Sequence, residues 1–259
     1  MSRSWRNRLQ SMASRLRRSK DLRIGLCEEL LFLSNGKQFP LQRTEQTNWR
    51  ASVDLLPLVL ESFKNQKASV VIADQFVRYA LLPWSDTLKT HAQWLALARH
   101  RFCAIHGPLA AEWEIKFAET APAGPRLACA VDRELIDELA AKFTAAGVHL
   151  QSVQPFMIAA FNQVRHLTGG ACWLVVEEPG RLTLAFIQHG TWVAIRSRRI
   201  DERWRKVLPE IIEREGAFLG LEEPCTRVIV CAQGQFDAGE HEDFRLQALS
   251  YHDLALARA

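Results

Sequence analysis

LRIGLCEELLFLSNGKQFPLQR (Leu22–Arg43) and CWLVVEEPGRLTLAFIQHGTWVAIRSR (Cys172–Arg198) present the same order of elements in two distant parts of the chain. Each reads as an apolar strand, a Glu-Glu corner, a second apolar strand, an x-Gly turn and a third strand. A helical pattern follows each. A repeated hairpin-plus-helix predicts two similar lobes facing a cleft. The doubled acids Glu28-Glu29 and Glu177-Glu178 stand at the corners where a phosphate would require small residues. Whether that cleft holds a nucleotide is the question on which function turns.

The 259 residues suffice for a sizeable core, and 48% hydrophobic with 24% charged side chains is ordinary for a globular chain. No apolar run reaches the roughly 20 residues that cross a bilayer, and the N-terminus has no secretory apolar segment. The six cysteines form no C-x-x-C pair and fall inside expected strands and helices, as reduced thiols do in a cytoplasm. The net charge of +4 is unevenly placed. Arg3, Arg6, Arg8, Arg15, Arg17, Arg18 and Lys20 crowd an acid-free leader, residues 1–20, and leave the remainder mildly acidic. If the leader is helical, Trp5, Leu9, Met12 and Leu16 share one face, with Arg15, Arg17 and Arg18 around it. That pattern suits an anionic membrane surface or an acidic partner, and equally a solvated tail. Nucleic acid ranks below both.

Between the hairpins, the pattern predicts a helix over about Leu55–Gln66, capped by Asp54 with Pro57 in its first turn. Two strands then flank Asp74-Gln75 within Ala68–Trp84. A long helix capped by Ser85 or Asp86 runs to about Ile105 and ends at Gly107-Pro108. Strands at Glu112–Phe117 and Arg126–Val131 precede a helix capped by Asp132, with Leu135, Ile136, Leu139, Ala140 and Phe143 as its stripe, closed by Gly147. A strand at Val148–Val153 leads to a helix opened by Pro155 and apolar nearly all round, which places it at the centre. Gly169-Gly170 marks a hinge. Asp201–Leu219 reads as a helix with Trp204, Leu208, Ile211, Ile212 and Phe218 inward and a kink at Pro209. Strands at Thr226–Ala232 and Phe244–Ser250 close the chain.

This order resembles the actin-like family of bacterial pilus and secretion platforms: PilM, the cytoplasmic part of GspL, and the MshI group. The resemblance rests on VVIADQFVRYALLPW (Val70–Trp84), with Leu82-Pro83 before its helix, and on RLACAVDRELIDELAAKFTAAGVHLQSVQPFMIAAFN (Arg126–Asn162), with Ala146-Gly147. It implies an α/β, actin-like (ribonuclease H-like) two-lobed fold. Residues 21–168 would form the first lobe, with a small inserted subdomain at about 69–131, and residues 169–259 a shortened second lobe. It also implies a cytoplasmic protein, peripheral at the inner membrane, that binds the cytoplasmic tail of a bitopic platform protein and leaves homodimerisation open. In that family the small subdomain helps form a groove for a short peptide; carried over by position, the contact residues here are Phe76, Arg78, Tyr79 and Trp84.

An actin-like nucleotide site wraps phosphates with backbone N–H groups and places Mg²⁺ with an aspartate. The family corners approximate Asp-x-Gly, whereas this chain has Cys27-Glu28-Glu29 and Glu177-Glu178-Pro179-Gly180. Carboxylates there would repel a triphosphate by about 4 kcal/mol per close pair at an effective dielectric of 20. The adenosine-side loop is reduced to Ala232-Gln233-Gly234-Gln235. The expectation is therefore a degenerate site and a non-catalytic scaffold without cofactor. An ATP- and Mg-binding switch of the same fold is the alternative, with Glu177 or Glu178 reaching the metal and Gly180 easing the turn. No phosphate loop, dinucleotide fingerprint, H-E-x-x-H or G-x-S-x-G motif offers other chemistry, and no metal site is expected. His241, Asp243 and His252 read as loop residues.

Overall fold

A computed structural model describes residues 22–41, 49–118 and 124–232 and the backbone of a last strand at Arg245–Ser250. The basic leader, Gly234 and the polar residues around His241 lie outside the described residues.

The two quoted segments fold as the repeat predicts. In the first, β1 (Leu22–Leu26), β2 (Leu30–Leu33) and β3 (Gln38–Pro40) make an antiparallel meander, to which β4 (Lys67–Ile72) and β8 (His149–Pro155) add in parallel on the far side of β1. In the second, β9 (Ala171–Glu178), β10 (Arg181–Gln188) and β11 (Thr191–Arg199) repeat the meander, and β12 (Arg227–Ala232) and β13 (Arg245–Ser250) add in parallel beyond β9. The two sheets run β3-β2-β1-β4-β8 and β11-β10-β9-β12-β13, one topology used twice. The lobes differ in what joins their last two strands: residues 73–148 in the first, only 233–244 in the second.

The first lobe's insertion holds a third sheet, β5-β7-β6, made of β5 (Val77–Leu82), β6 (Trp113–Phe117) and β7 (Arg126–Asp132). Helix α2 (His91–His106) covers it through Trp94, Ala98 and Phe102. On the first lobe's own sheet pack α1 (Arg50–Leu60) and α3 (Arg133–Ala145), and α4 (Phe156–Val164) lies between the lobes. Because α4 is apolar on nearly every side, both sheets bury against it, and one core runs from Ile24 and Val70 through Met157 and Phe161 to Leu174, Ile187 and Trp192. Phe161 and Trp192 meet with ring centroids 4.6 Å apart. The outer face of the second sheet is covered by α5 (Trp204–Phe218), through Trp204, Leu208, Ile211 and Ile212. No helix among the described residues is long and apolar enough to cross a membrane.

Several local expectations are corrected. Helix α1 begins at Arg50, so Asp54 lies inside it rather than capping it, and Pro57 is interior, where it forgoes a hydrogen bond to the Val53 carbonyl. Helix α2 is capped by Thr90, not by Ser85 or Asp86. Gln93 N–H donates to Thr90 Oγ1 at 3.2 Å, and Thr90 N–H donates to Gln93 Oε1 at 2.9 Å. This Thr-x-x-Gln box was readable in the sequence. Asp132 stands at the start of α3 but makes no side-chain cap. Phe218, the last residue of α5, is 74% exposed, although it is in phase with the Trp204–Leu208–Ile211 stripe: the helix ends there without covering partners for it.

Gly25 pairs with Phe32 across β1 and β2, and a Cβ on it would lie 1.8 Å from the Phe32 ring. We expect Gly25→Ala to lower stability by about 2 kcal/mol or more, as overpacking does. Adding Phe32→Leu should recover part of the loss, read as the urea midpoint of the single and double variants.

Candidate functional site

The acidic doublet of the second corner is divided by strand alternation. Successive side chains on β9 point to opposite faces, so Cys172, Leu174, Val176 and Glu178 face the first lobe while Trp173, Val175 and Glu177 face α5. Glu177 accepts from Trp204 Nε1 at 3.0 Å and from Arg205 at 3.4 Å, away from the cleft. Glu178 is 3% exposed, and its two oxygens accept from the backbone N–H of Asp74 at 2.9 and 3.0 Å. The expectation that both carboxylates crowd a phosphate pocket is thus corrected.

Asp74 opens the 3₁₀ turn Asp74–Phe76, where the chain leaves β4 for the third sheet. Its Oδ1 accepts from the Tyr79 hydroxyl at 2.5 Å and from Met157 N–H at 3.0 Å, in the first turn of α4. An N–H there has no intrahelical partner, so the carboxylate satisfies it and favours the helix dipole. Asp74 is 2% exposed. Its Oδ2 makes no hydrogen bond among the described residues, although the buried Thr183 of the second lobe faces it. Gln75 completes the turn. With its amide oriented to satisfy both groups, it donates to the Glu28 carboxylate and accepts from Glu28 N–H, each at 3.0 Å. The turn therefore ties the first corner through Gln75 and the second through Asp74.

Two buried acids at one junction do not ionise freely. Burial pushes the Asp74 carboxyl up to about 6, against the pull of the Met157 and Tyr79 hydrogen bonds. Burial, then the Asp74 charge, raises Glu178 well above the carboxylate range. Tyr79 is likewise raised by burial and by Asp74, so it stays a neutral donor.

Above this junction opens a cavity of about 710 Å³, lined by the first corner (Glu28, Glu29), the Pro179-Gly180 turn, and Phe76 and Arg78 of the third sheet's edge. Gly180 has φ +71°, and the order Pro179-Gly180 suits a tight two-residue turn that closes β9 onto β10, pairing Glu178 with Arg181. A separate void of about 10 Å³ lies among Cys27, Glu28, Ala73, Gln75 and Glu178. Of the residues the resemblance nominates for a partner, Phe76 and Arg78 face the cavity. Tyr79 turns inward to Asp74, and Trp84, 42% exposed, stacks on Trp94 with centroids 5.9 Å apart and lines no part of it. The sequence reading missed Asp74 and Arg181, and saw Arg199 only as one of a cluster with Arg196, Arg198, Arg203 and Arg205 that could bind phosphate or an acidic partner or lie solvated. Their signal was the alternation of β10 and β11, which puts Arg181, Thr183 and Arg199 on the Glu178 side. Among the described residues no group of three His, Cys, Asp or Glu side chains is placed to hold a metal.

Two lobes of one topology around a cleft, with a small subdomain inserted in the first and a shortened second lobe, define an actin-like fold. Solved structures agree. Over 92% of its length the chain is similar to 90% of a chain from the "PilM-PilN type IV pilus biogenesis complex", with 13% identity and a TM-score of 0.62. An actin-like ATPase-fold protein of unknown function from Bacteroides thetaiotaomicron matches at TM-score 0.55 and 11% identity, covering 91% of this chain and 94% of that one. The cytoplasmic domain of EpsL, an inner-membrane component of the Vibrio cholerae type II secretion system, matches at TM-score 0.54 and 10% identity, covering 91% of each. No protein-family model matches the chain, and no curated protein does.

The buried pair predicts a pH dependence. The folded state keeps these protons to higher pH than the unfolded chain, so the stability they contribute is complete below about pH 4 and is lost as pH rises through about 6. Glu178→Gln, which mimics the protonated acid, should match the parent near pH 5 and exceed it in melting temperature at pH 8. Thermal melts across that range check this; a constant difference would contradict the linkage.

Proposed function

We propose that the chain is a non-catalytic actin-like scaffold of a type IV pilus or type II secretion-like inner-membrane platform. It works from the cytoplasmic face and binds the cytoplasmic tail of a bitopic partner in the cleft above the Asp74–Phe76 turn. The observation that carries this reading is the closure of the corners. The turn's N–H at Asp74 already holds the Glu178 carboxyl, and Gln75 holds Glu28. A protein carboxylate thus stands where an incoming anion would seek donors. The cavity above them has about 710 Å³ and sets Phe76 and Arg78 beside both corners, an aromatic and an arginine of the kind that anchors a protein segment. The two platform proteins among the structural neighbours support the assignment. In this reading residues 21–168 form the first lobe, with 69–131 as its subdomain, residues 169–259 form the second, and residues 1–20 hold the protein at anionic lipid.

Phe76→Ala and Arg78→Ala should each weaken binding of the neighbouring bitopic protein's cytoplasmic tail about tenfold or more in a fluorescence-polarisation titration. Unchanged affinity in both would remove the groove. Mg-ATP at millimolar concentration should leave the melting temperature unmoved. A nucleotide that bound at 100 times its Kd would add about 2.7 kcal/mol and favour the ATP switch instead. Deleting residues 2–20 should abolish co-sedimentation with phosphatidylglycerol vesicles at low salt, and equal pelleting of both forms would end the membrane role of the leader.

A further inference from the structure

We infer that the segment occupying the cleft carries an acidic residue, whose carboxylate is gripped by Arg78, Arg181 and Arg199. The inference rests on the reading of the cleft as a peptide groove and specifies the chemistry that groove accepts.

Arg181 and Arg199 stand directly opposite each other on β10 and β11. Like charges in that position destabilise a sheet, so the pairing is a liability unless an anion sits between them. Arg78 reaches the same cavity from β5. Its proton affinity is lowered by burial and by the charge of Arg181, which places the two guanidinium groups in one another's field. Among the described residues none of the three forms an ion pair. Arg78 donates to its own neighbours' carbonyls, Gln75 O at 2.9 Å and Val77 O at 3.2 Å, and Arg181 donates to Ser197 Oγ at 3.1 Å. A guanidinium carries five N–H donors, so most of each fork is unspent. Part of the Arg181 charge is answered from below by Asp74. Arg78 feels Asp132 without pairing to it.

The opposite wall decides which anion fits. Glu28, Glu29 and Asp132 line the same space. A polyphosphate would bring several negative charges towards them, at about 4 kcal/mol per pair 4 Å apart at an effective dielectric of 20. A single side-chain carboxylate can sit against the arginines and leave the acidic wall to backbone N–H groups or a basic residue. Trp49, Phe76 and Trp113 supply apolar lining beside it, the surface an anchoring side chain needs. A short peptide with one acid next to an apolar residue matches both walls; a nucleotide matches one.

The test is a selection of displayed octapeptides on the full chain, followed by fluorescence-polarisation titration of synthetic binders. Enriched peptides should share an Asp or Glu at one position, and Asp→Asn there should weaken binding about tenfold or more, as a lost bidentate pair does. Arg78→Gln and Arg199→Gln should each bring the Asp and Asn peptides to within about twofold of one another. Arg199→Glu should restore binding to a peptide with Lys in place of Asp. Enrichment without an acid, no enrichment at all, or discrimination that survives both Gln variants overturns the inference. So does inorganic pyrophosphate if it displaces the peptides at micromolar concentration, since phosphate would then be the occupant. Acidic octapeptides that bind as described while the bitopic tail does not would leave this inference standing and refute the platform assignment alone.

Discussion

A carboxylate of the second lobe bound to a backbone N–H of the first holds this molecule in its arrangement. Glu178 is buried, as an acid almost never is without partners, and its partner is the Asp74 amide at the very point where the chain leaves the first sheet for the inserted subdomain. Asp74 in turn satisfies the first turn of α4, the helix both lobes bury against. Three bodies therefore meet at one polar knot inside an otherwise apolar interface. Replacing either acid by an apolar residue would leave amide donors orphaned in the core, the costlier side of hydrogen-bond asymmetry.

The knot also explains how a repeated topology yields unequal halves. Both hairpins present a corner to the cleft, and in a nucleotide-holding version both would keep their amides for phosphate. Here each corner is tied to the same 3₁₀ turn, one through Gln75 and Glu28 and the other through Asp74 and Glu178. The cavity above the turn is walled by both corners and by the third sheet. A surface made from the Glu28-Glu29 corner, β5, β7 and the Pro179-Gly180 turn draws on all three sheets, so its shape depends on how the lobes are set relative to one another.

Much of this was legible in the sequence. The repeat, the central helix Phe156–Val164 and the succession of strands and helices followed from apolar periodicity, which is dictated by burial and survives changes in every exposed residue. What periodicity could not supply was helix entry. Ser85-Asp86 looked like a cap because of its composition, while Thr90-x-x-Gln93 was one because its geometry satisfies both amides. The interior Pro57 has the same cause, since α1 enters at Arg50 and not at Asp54.

The corners teach a narrower lesson about doublets. Glu28-Glu29 and Glu177-Glu178 look alike on paper, but the first lies in the turn between two strands and the second ends a strand. In the turn, both side chains stay at the cavity rim. On the strand, alternation sends neighbours to opposite faces, so one glutamate stacks its charge against Trp204 and Arg205 while the next is driven into the interface. A charge count at a corner therefore says little until strand register is known, because register decides which carboxylate meets solvent, which meets an arginine and which must find a backbone amide. The same register aligns Arg181 and Arg199 on the cleft side of the second sheet. The forces that bury one acid thus expose the two bases beside it, and the cleft acquires its positive wall as a consequence of how its negative charge was hidden.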